Sequence, residues 1–488
     1  MTEKRSRIVR ATPAAPRAEY EYVEGWGMAV GAPSRVLRPR SVEEILACHA
    51  LARAEGATLG LRGAGCSYGD ASVNERGHVM ELTAMNRFLD WNPETGVATV
   101  EPGVTVEMLW KRSLPDGWWP KVVSGTMFPT LAGALAMNIH GKNNFAVGTI
   151  GDAVREFDIV LPDGTVRTCN RGANADLFHA AIGGFGMLGT FSRIVIETKR
   201  VHSGELEVSA ASVRDLGETI DYFEAHKRTS DYLVGWIDGF GKGDALGRGL
   251  IHDARYLAPG EDPHPEETLR VEHQELPSKI LGLIPKSEVW RALRLFNNDT
   301  GMRLVNLAKY VSGRLEAMSE PVRQPHAAFA FLLDYVPNWK WAYGRTGKAG
   351  LIQYQAFVPH ESARGVYAEI LARNQRAGFV PYLGVFKRHR PDPFWLTHSN
   401  DGWSLALDFK VTPANRAELW RHCATLTEIV LAGRGKFYFA KDLVIGQQDM
   451  LRMFPPERTQ AFLALKRELD PEGLLQTNLY RRVFAGLA

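Results

Sequence analysis

Cysteine is scarce in this chain, with four residues among 488. The four are widely spaced and form neither a CxxC pair nor the spacing of a metal site: Cys48, Cys66, Cys169 and Cys423. This scarcity argues against a disulfide scaffold and against a zinc or iron–sulfur centre. We therefore expect reduced thiols, a reducing compartment and no metal.

Long apolar runs and a dominant charge are lacking as well. No stretch approaches the roughly 18 apolar residues of a membrane-spanning helix. The basic residues 1–17 have no apolar segment of a secretion signal, so we interpret them as a flexible arm. The net charge is only +3 and no Lys/Arg run is dense, which argues against a nucleic-acid partner. We expect a protein that is cytoplasmic or peripheral at a membrane.

The chain is long and apolar enough for a large core, since 45% of its residues are apolar. In its first 200 residues short strands alternate with short helices, which indicates an α+β fold. The sequence Ser41-Val42-Glu43-Glu44 is a capping box that predicts a helix up to Gly56. Asp163-Gly164 between two apolar runs predicts a hairpin with a type I′ turn. After residue 205 we predict strands at Tyr232–Ile237 and Ala328–Leu333. Within Lys279–Phe296 we predict a sheet-packed helix; a lid or membrane-surface element is the alternative.

The most informative motif follows a predicted strand at Thr58–Leu61. It reads Arg62-Gly63-Ala64-Gly65-Cys66-Ser67-Tyr68-Gly69-Asp70. Glycines at this spacing let backbone N–H groups close around a phosphate, because glycine lacks a Cβ and tolerates positive φ. The spacing GxGxxxG differs from the Rossmann fingerprint, and no helix pattern begins after it.

A second glycine-rich stretch lies about sixty residues further on. It contains Ser124-Gly125-Thr126 and ends in Asn138-Ile139-His140-Gly141-Lys142-Asn143. Two such loops in one half of the chain suggest a large dinucleotide cofactor. Residues 184–189 do match GxGxxG, but a helix precedes them and a strand follows, which reverses the Rossmann order. We interpret this segment as a close backbone approach to the adenosine half of the cofactor; a cluster of helix C-cap glycines is the alternative.

These motifs, with a late Phe439-Ala440-Lys441-Asp442, resemble the vanillyl-alcohol-oxidase (PCMH-type) family of FAD-binding oxidoreductases. Within it, IHGKN, residues 351–355, Val385-Phe386-Lys387 and AKD are similar to the decaprenylphosphoryl-β-D-ribose 2′-oxidase family. The resemblance implies an FAD domain built from residues 1–204 and 432–488, and a middle substrate domain of residues 205–431 with an antiparallel sheet. It also implies non-covalent FAD, because Cys66 stands where several covalent relatives carry histidine.

The resemblance, together with the glycine loops, assigns a set of cofactor-binding residues. They are Arg62, Gly63, Ala64, Gly65, Cys66, Ser67, Tyr68, Gly69, Gly125, Thr126, Thr130, Gly133, Ala134, Asn138, Ile139, His140, Asn143, Gly148, Ile150, Gly189, Phe191 and Tyr438.

Three residues are catalytic candidates: Lys441, His140 and Tyr68. A lysine after an aromatic strand at 437–439 has apolar neighbours, which keep its cation unscreened near developing negative charge. The resemblance places this lysine between flavin and substrate. The alternatives are a surface lysine for Lys441 and a core hydrogen-bonding role for His140.

A further set is assigned to the substrate: Lys142, Gln353, Gln355, Lys387, Trp236 and Ser404. Gln353 and Gln355 are two apart in a predicted strand and so share one face, where buried amides need polar partners. A sugar hydroxyl or a phosphate would supply such partners; a solvated sheet face is the alternative. Ser404 stands where the resembled oxidases carry asparagine, so the pocket floor differs from theirs.

The resemblance implies oxidation of a secondary alcohol to a ketone, with hydride transfer to flavin N5. The implied substrate is a polyprenyl-phosphate-linked pentose oxidised at its 2′-hydroxyl, as in cell-wall arabinan synthesis. Alternatives are an aldonolactone or alditol oxidase using oxygen, a flavin-dependent C=C reductase, and a flavin-binding protein without activity. The expected partners are a small-molecule or lipid-linked sugar, a partner reductase, and at most a peripheral membrane contact.

Overall fold

The computed structural model describes residues 6–8, 18–276, 278–280, 284–344 and 349–487. It confirms the α+β class. Within these ranges no helix is long and apolar enough to cross a membrane. In the middle of the arm predicted at 1–17, Ser6–Ile8 form a short strand, and the rest of that arm lies outside the described residues.

The strands, in chain order, form three larger sheets and one small hairpin. They are β1 Ser6–Ile8, β2 Ala18–Glu24, β3 Gly31–Leu37, β4 Thr58–Arg62, β5 Gly77–Glu81, β6 Phe88–Asn92, β7 Val97–Val100, β8 Trp118–Pro120, β9 Val154–Val160, β10 Thr165–Asn170, β11 Thr190–Arg200, β12 Glu205–Val213, β13 Tyr232–Ile237, β14 Gly249–Tyr256, β15 Lys279–Ile280, β16 Ile284–Pro285, β17 Val322–Pro325, β18 Gly350–Pro359, β19 Leu383–His389, β20 Gly402–Val411 and β21 Lys436–Phe437.

The helices range from single turns to five turns. They are α1 Val42–Ala54, α2 Val106–Ser113, α3 Leu131–Ala136, α4 Asn144–Val147, α5 Ile150–Ala153, α6 Ala175–Ala181, α7 Leu216–His226, α8 Pro265–Thr268, α9 Val289–Phe296, α10 Asp299–Glu316, α11 His326–Ala330, α12 His360–Ala377, α13 Arg416–Ala432, α14 Gln447–Met453, α15 Pro456–Leu469 and α16 Asn478–Val483.

The first 200 residues contain two sheets. One has the order β2-β3-β5-β4, with β5 parallel to both of its neighbours. The other is antiparallel with the order β1-β10-β9-β11-β7-β6, and β8 also pairs with β11. The predicted capping box is confirmed, since the Ser41 side chain accepts a hydrogen bond from Glu44 N at the start of α1.

The middle of the chain forms one antiparallel sheet of eight strands, in the order β17-β12-β14-β13-β19-β20-β18-β21. Its central strands are buried along most of their length, because helices α7, α12 and α13 pack near them. One large apolar cluster continues from this sheet into the seven-stranded sheet, with Phe157 and Phe178 at one end and Phe357 and Phe386 at the other.

The C-terminal segment returns to the first sheets. Leu475 forms a bridge with Leu59 of β4, and α16 follows directly. Arg482 on α16 binds Asp70 of the first glycine loop and Asp442 of the AKD motif, with shortest distances of 2.8 Å to each. The two ends of the chain therefore meet, although the boundaries 204/205 and 431/432 remain a prediction.

Several local predictions were wrong. Ala328–Leu333 is no strand: α11 covers His326–Ala330, and a short apolar run suits a buried helix as well as a strand. The hairpin β9–β10 is confirmed, but only Gly164 in its turn has positive φ (+88°), whereas a type I′ turn needs two such residues. The aromatic strand predicted at 437–439 ends at Phe437.

Candidate active site

A cavity of about 390 Å³ is lined from three parts of the chain. The N-terminal part contributes residues within 61–72, 123–142 and 185–191. The middle sheet contributes β13, β18, β19 and β20, and the AKD segment contributes Tyr438, Ala440 and Lys441. Both glycine loops predicted to hold a cofactor therefore open onto one space.

The two glycine loops touch each other, and their contact leaves no room for a larger side chain. A Cβ on Gly63 would lie 2.1 Å from Thr130 Oγ1, and Gly65 has φ of +68°. Thr130 in turn caps α3, since its hydroxyl accepts from Gly133 N at 3.2 Å. A Cβ added at Gly133 would have only this hydroxyl within 4 Å. Space for a ligand therefore remains next to the loop backbone. Such a cradle fits the pyrophosphate and the flat ring of a flavin dinucleotide.

The third glycine stretch also reaches the cavity. Gly186 and Gly189 line it, together with Phe185 and Phe191, and both glycines have positive φ. Helix α6 precedes this stretch and β11 follows it, which agrees with the rejection of a Rossmann motif. The stretch therefore supplies backbone and aromatic surface to the wall of the cavity.

Most of the predicted cofactor residues lie on the cavity wall, and six lie outside the lining, here called behind the wall. On the wall are Arg62, Gly63, Ala64, Gly65, Cys66, Ser67, Gly125, Thr126, Thr130, Gly133, Ala134, Ile139, His140, Gly189, Phe191 and Tyr438. Behind the wall are Tyr68, Gly69, Asn138, Asn143, Gly148 and Ile150. Asn138, for example, bonds through its amide to Asp392 and Gly151 and so fixes the turn before His140.

Lys441 lies in the cavity, with its Nζ 3.6 Å from the centroid of the Tyr68 ring. The backbone holds the two together, because Tyr68 N donates to Ala440 O at 2.8 Å. Burial lowers the pKa of Lys441, and the carboxylate of Asp408 partly offsets this shift. The result is a cation that is poorly solvated and readily stabilised by an incoming negative charge.

Arg482 fixes the AKD segment that carries Lys441. Its guanidinium bridges Asp70 and Asp442 and also donates to Ile445 O. Both carboxylates are buried. Gly69 is needed beside this bridge, because a Cβ there would lie 2.1 Å from Asp442 O. The first glycine loop and the catalytic candidate are thus locked to one another.

Two further predicted lysines line the same cavity. Burial lowers the pKa of Lys142 to about 7 and that of Lys387 to about 8. Lys142 donates to Phe329 O and lies 4.4 Å over the Phe329 ring. No acid is among the groups that shift the pKa of Lys142 or Lys387, whereas Asp408 acts on Lys441. The cavity therefore brings together three buried lysines, two of which have no acid that offsets their burial.

The two predicted glutamines lie on one face of β18 and line the cavity. Gln353 Nε2 donates to Asp408 Oδ1 at 2.6 Å. Gln355 Nε2 lies 3.2 Å from His140 Nε2 and 3.3 Å from Ser404 Oγ. The predicted sharing of one face is confirmed. Ser404 itself lies behind the wall and supports Gln355, whereas Trp236 lies on the wall.

His140 is held in a buried histidine cluster that sequence reasoning missed. Its Nδ1 lies 3.0 Å from His398 Nε2, and His389 Nε2 lies 2.8 Å from Ser404 Oγ. Burial lowers the pKa of all three rings, so they are neutral. Since Gln355 donates to His140 Nε2, the His140 proton resides on Nδ1 and is donated to His398. His140 therefore presents a fixed tautomer.

Two carboxylates were also missed. Asp408 sits opposite Gln353 in the β18–β20 register, and burial raises its pKa. Asp334 accepts from Thr126 Oγ1 at 2.7 Å and from Met127 N at 2.8 Å, so it holds the second glycine loop from the middle domain. The sequence did hold a signal for Asp408, because an acid inside the apolar run Leu405–Phe409 is unusual. Its partner Gln353 can be identified only from the pairing of the two strands.

Comparisons with known proteins support a flavin-binding role for this chain. Residues 33–170 match the family model of an FAD binding domain. The chain is 29% identical to decaprenylphosphoryl-beta-D-ribose oxidase of Mycolicibacterium smegmatis over 465 residues, which is 94% of this chain and 96% of the relative. It is 27% identical to L-gulonolactone oxidase of Mus musculus over 212 residues, 43% of this chain and 47% of the relative.

These matches and the glycine cradle confirm FAD as the cofactor and oxidoreduction as the activity. The resemblance indicated by the loop motifs is supported as well: residues 33–170 match an FAD binding domain, and most of the chain is similar to an oxidase of that kind.

Proposed function

We propose that this FAD-dependent oxidoreductase oxidises a secondary alcohol of a phosphate-bearing sugar to a ketone. The substrate class is a polyprenyl-phosphate-linked pentose, oxidised at its 2′-hydroxyl. The observation that carries the proposal is the cluster of Lys142, Lys387 and Lys441 in one cavity with Gln353 and Gln355. The long similarity to an oxidase of decaprenylphosphoryl ribose supports the same substrate class.

The charge of the cavity favours an anionic substrate. Buried cations without carboxylate partners are unfavourable, and the lowered pKa values of Lys142 and Lys387 reflect this cost. A phosphate brought into the cavity would pair with these lysines and raise their pKa values again. A neutral polyol would leave the lysines unpaired.

The residues around Lys441 suit oxidation of a hydroxyl group. Bound FAD supplies a hydride acceptor for the carbinol hydrogen. The hydroxyl proton would leave to water, and the Lys441 cation would stabilise the negative charge that develops on the substrate oxygen. Neutral His140 holds the Gln355 amide through its Nε2, and Gln355 lines the cavity, where its amide would orient a sugar hydroxyl.

We further propose that FAD is held without a covalent bond. Cys66 is the residue at the position where covalent relatives carry histidine. Burial raises the pKa of its thiol to about 11, so the nucleophilic thiolate is scarce at neutral pH. Its Sγ lies near Ala64 O, at 3.9 Å, within the same loop. A protonated thiol on the cavity wall favours a purely non-covalent cradle.

The proposal is tested by Lys387→Met. The variant should raise KM for a polyprenyl-phosphoryl pentose at least about tenfold while changing kcat much less, because a charge that binds phosphate acts before the chemical step. Lys199→Met is the control, since Lys199 lies over the Tyr256 ring outside the cavity lining. An unchanged KM in Lys387→Met would contradict the phosphate assignment.

A further inference from the structure

An apolar stripe lies on the outside of helix α10 in the middle domain. Its members are exposed by 45–84% although all are large and apolar: Leu304, Leu307, Val311, Leu315 and Met318. Leu295 and Phe296 of α9 and Val322 of β17 extend the exposed apolar surface at the two ends. Most exposed large apolar side chains of the described chain fall between residues 295 and 335. We call this surface the α10 stripe.

Four members of the stripe form one face of the helix, and Met318 follows just after its end. At about 100° per residue, Leu304, Leu307, Val311 and Leu315 fall within about 80° of arc. The opposite face carries the buried residues Asn306 and Gly313. Gly313 is required there, because a Cβ would lie 2.2 Å from Leu250 of β14. The helix thus packs closely through its small residues and turns its largest apolar residues outward.

Two exposed arginines lie along one edge of the stripe. Arg303 and Arg314 stand about 80° and 60° from its centre, on the same side of the helix. Asp299 and Glu316 lie on the far half of the helix: Tyr382 donates to Asp299 at 2.9 Å, and Glu316 lies 3.9 Å from His252. The outer surface of α10 therefore combines apolar side chains with arginine cations along one edge.

We propose that the α10 stripe is a docking surface for an anionic lipid bilayer. An amphipathic helix with apolar residues flanked by cations inserts into the headgroup–acyl boundary of such a surface. The helix is 18 residues long, so it would lie in the plane of the interface. A monolayer contact of this type needs no partner groove, which matches a stripe on an outward-facing helix.

A second copy of the chain is the competing occupant of the stripe. A seam through Leu304, Ala308, Val311 and Leu315 would be apolar throughout, so the spacing alone does not exclude a helix pair. The arginines favour the lipid surface, because anionic headgroups would neutralise Arg303 and Arg314, whereas a second copy presents the same two cations.

The same helix forms part of the active-site wall. Lys309 on its inner side lines the cavity, with its Nζ 4.8 Å from the Trp236 ring centroid, and Trp236 and His252 line the cavity beside it. Docking through the outer face would place the cavity next to the lipid surface. This would suit a lipid-linked substrate, but the docking inference itself stands on the stripe and not on the substrate.

Vesicle flotation of the FAD-loaded full chain tests the inference without any substrate. Vesicles of equal parts phosphatidylcholine and phosphatidylglycerol should bind the protein, and pure phosphatidylcholine should bind it much less. The double variant Leu307→Glu/Leu315→Glu should lose at least about tenfold in binding. Arg303→Gln/Arg314→Gln should lose the preference for anionic vesicles. Leu89→Glu, an exposed leucine on β6, is the control and should bind as wild type does.

Three outcomes would overturn the inference. These are absence of binding to anionic vesicles, equal binding by wild type and the α10 double variant, and a wild-type dimer in light scattering that the α10 variant abolishes. The last outcome would assign the stripe to a second copy. Unchanged flavin content and melting temperature of each variant would show that folding is intact, since the substituted side chains are exposed. Failure of docking would leave the proposed oxidation untouched, because oxidation is measured separately with detergent-dispersed substrate.

Discussion

At the scale of single residues, the site is set by cations and neutral histidines that the fold keeps away from water. Lys441 faces the Tyr68 ring, and His140 is held by His398 and Gln355. The first arrangement leaves a cation that gains a close partner when a ligand enters, and the second fixes the ring beside the cavity. The chemistry therefore depends on a few side chains whose substitution is informative.

Lys441→Met should keep FAD bound but lose turnover. Removing one preorganised charge-stabilising group costs roughly 10²–10³ in rate, by analogy with an oxyanion-hole donor. The measurement is the rate of anaerobic flavin reduction, with the visible flavin spectrum as the check on cofactor content. Turnover within a few-fold of wild type would show that Lys441 is structural.

Cys66→Ala should bind FAD as the wild type does. The Cys66 thiol is protonated at neutral pH, because burial raises its pKa to about 11, so no thioether is expected. Acid precipitation of the wild type should release all flavin to the supernatant. A flavin mass retained on the Cys66-containing peptide would refute non-covalent binding.

The KM for an anionic substrate should rise with pH above about 8. In the empty protein burial lowers the pKa of Lys387 to about 8, so its cation is present below that pH and lost above it. A phosphate binds the cationic form, which makes binding weaker as the proton leaves. KM profiles of wild type and Lys387→Met check this: the alkaline rise should be weaker in the variant. Parallel profiles would exclude Lys387 as the titrating group.

At the scale of elements, helix α16 and two loops form one unit through Arg482. Arg482→Met would leave Asp70 and Asp442 as buried carboxylates without their cation, which typically costs about 3–5 kcal/mol. Arg452→Met is the matched control, because its partner Glu428 is exposed and such surface pairs contribute about 0–1 kcal/mol.

Thermal unfolding of both variants, loaded with FAD, measures this difference. The Arg482 variant should melt well below wild type, and the Arg452 variant close to it. Equal melting temperatures would show that the Asp70–Arg482–Asp442 bridge adds no net stability. Because the bridge also positions Lys441, flavin reduction should slow in the Arg482 variant alone.

The sequence was most informative where local chemistry determines the backbone. The capping box at Ser41 begins α1, and the glycine loops form the cradle that their spacing predicted. The strand predicted at Ala328–Leu333 was wrong, because a short apolar run does not distinguish a buried helix from a strand. The prediction of a type I′ turn was wrong, because Asp163 lacks the positive φ that such a turn requires.

The candidate site was predicted in outline, and its supporting contacts were not. Gln353 and Gln355 could be placed on one face from their spacing. Their partners Asp408 and Ser404 come from a strand fifty residues away, and only the β18–β20 register reveals them. The histidine cluster also joins distant segments, so no local pattern could indicate it.

At the scale of the whole molecule, the cavity lies where three parts of the chain meet. The N-terminal part supplies the glycine loops and Lys142, the middle sheet supplies Lys387 and the two glutamines, and the C-terminal return supplies Lys441. Asp334 crosses from the middle domain to the second glycine loop and couples the two. The glycine loops that hold the cofactor and the strands that line the substrate side are therefore fixed to one another.

The central claim is that this cavity oxidises an anionic, phosphate-bearing sugar alcohol. The most direct test is anaerobic bleaching of the bound flavin absorbance by candidate substrates, each mixed with the same FAD-loaded protein. We expect rapid bleaching by polyprenyl-phosphoryl ribose and none by xylitol or an aldonolactone at equal concentration. Bleaching by the neutral polyol or lactone, with none by the phosphosugar, would contradict the account.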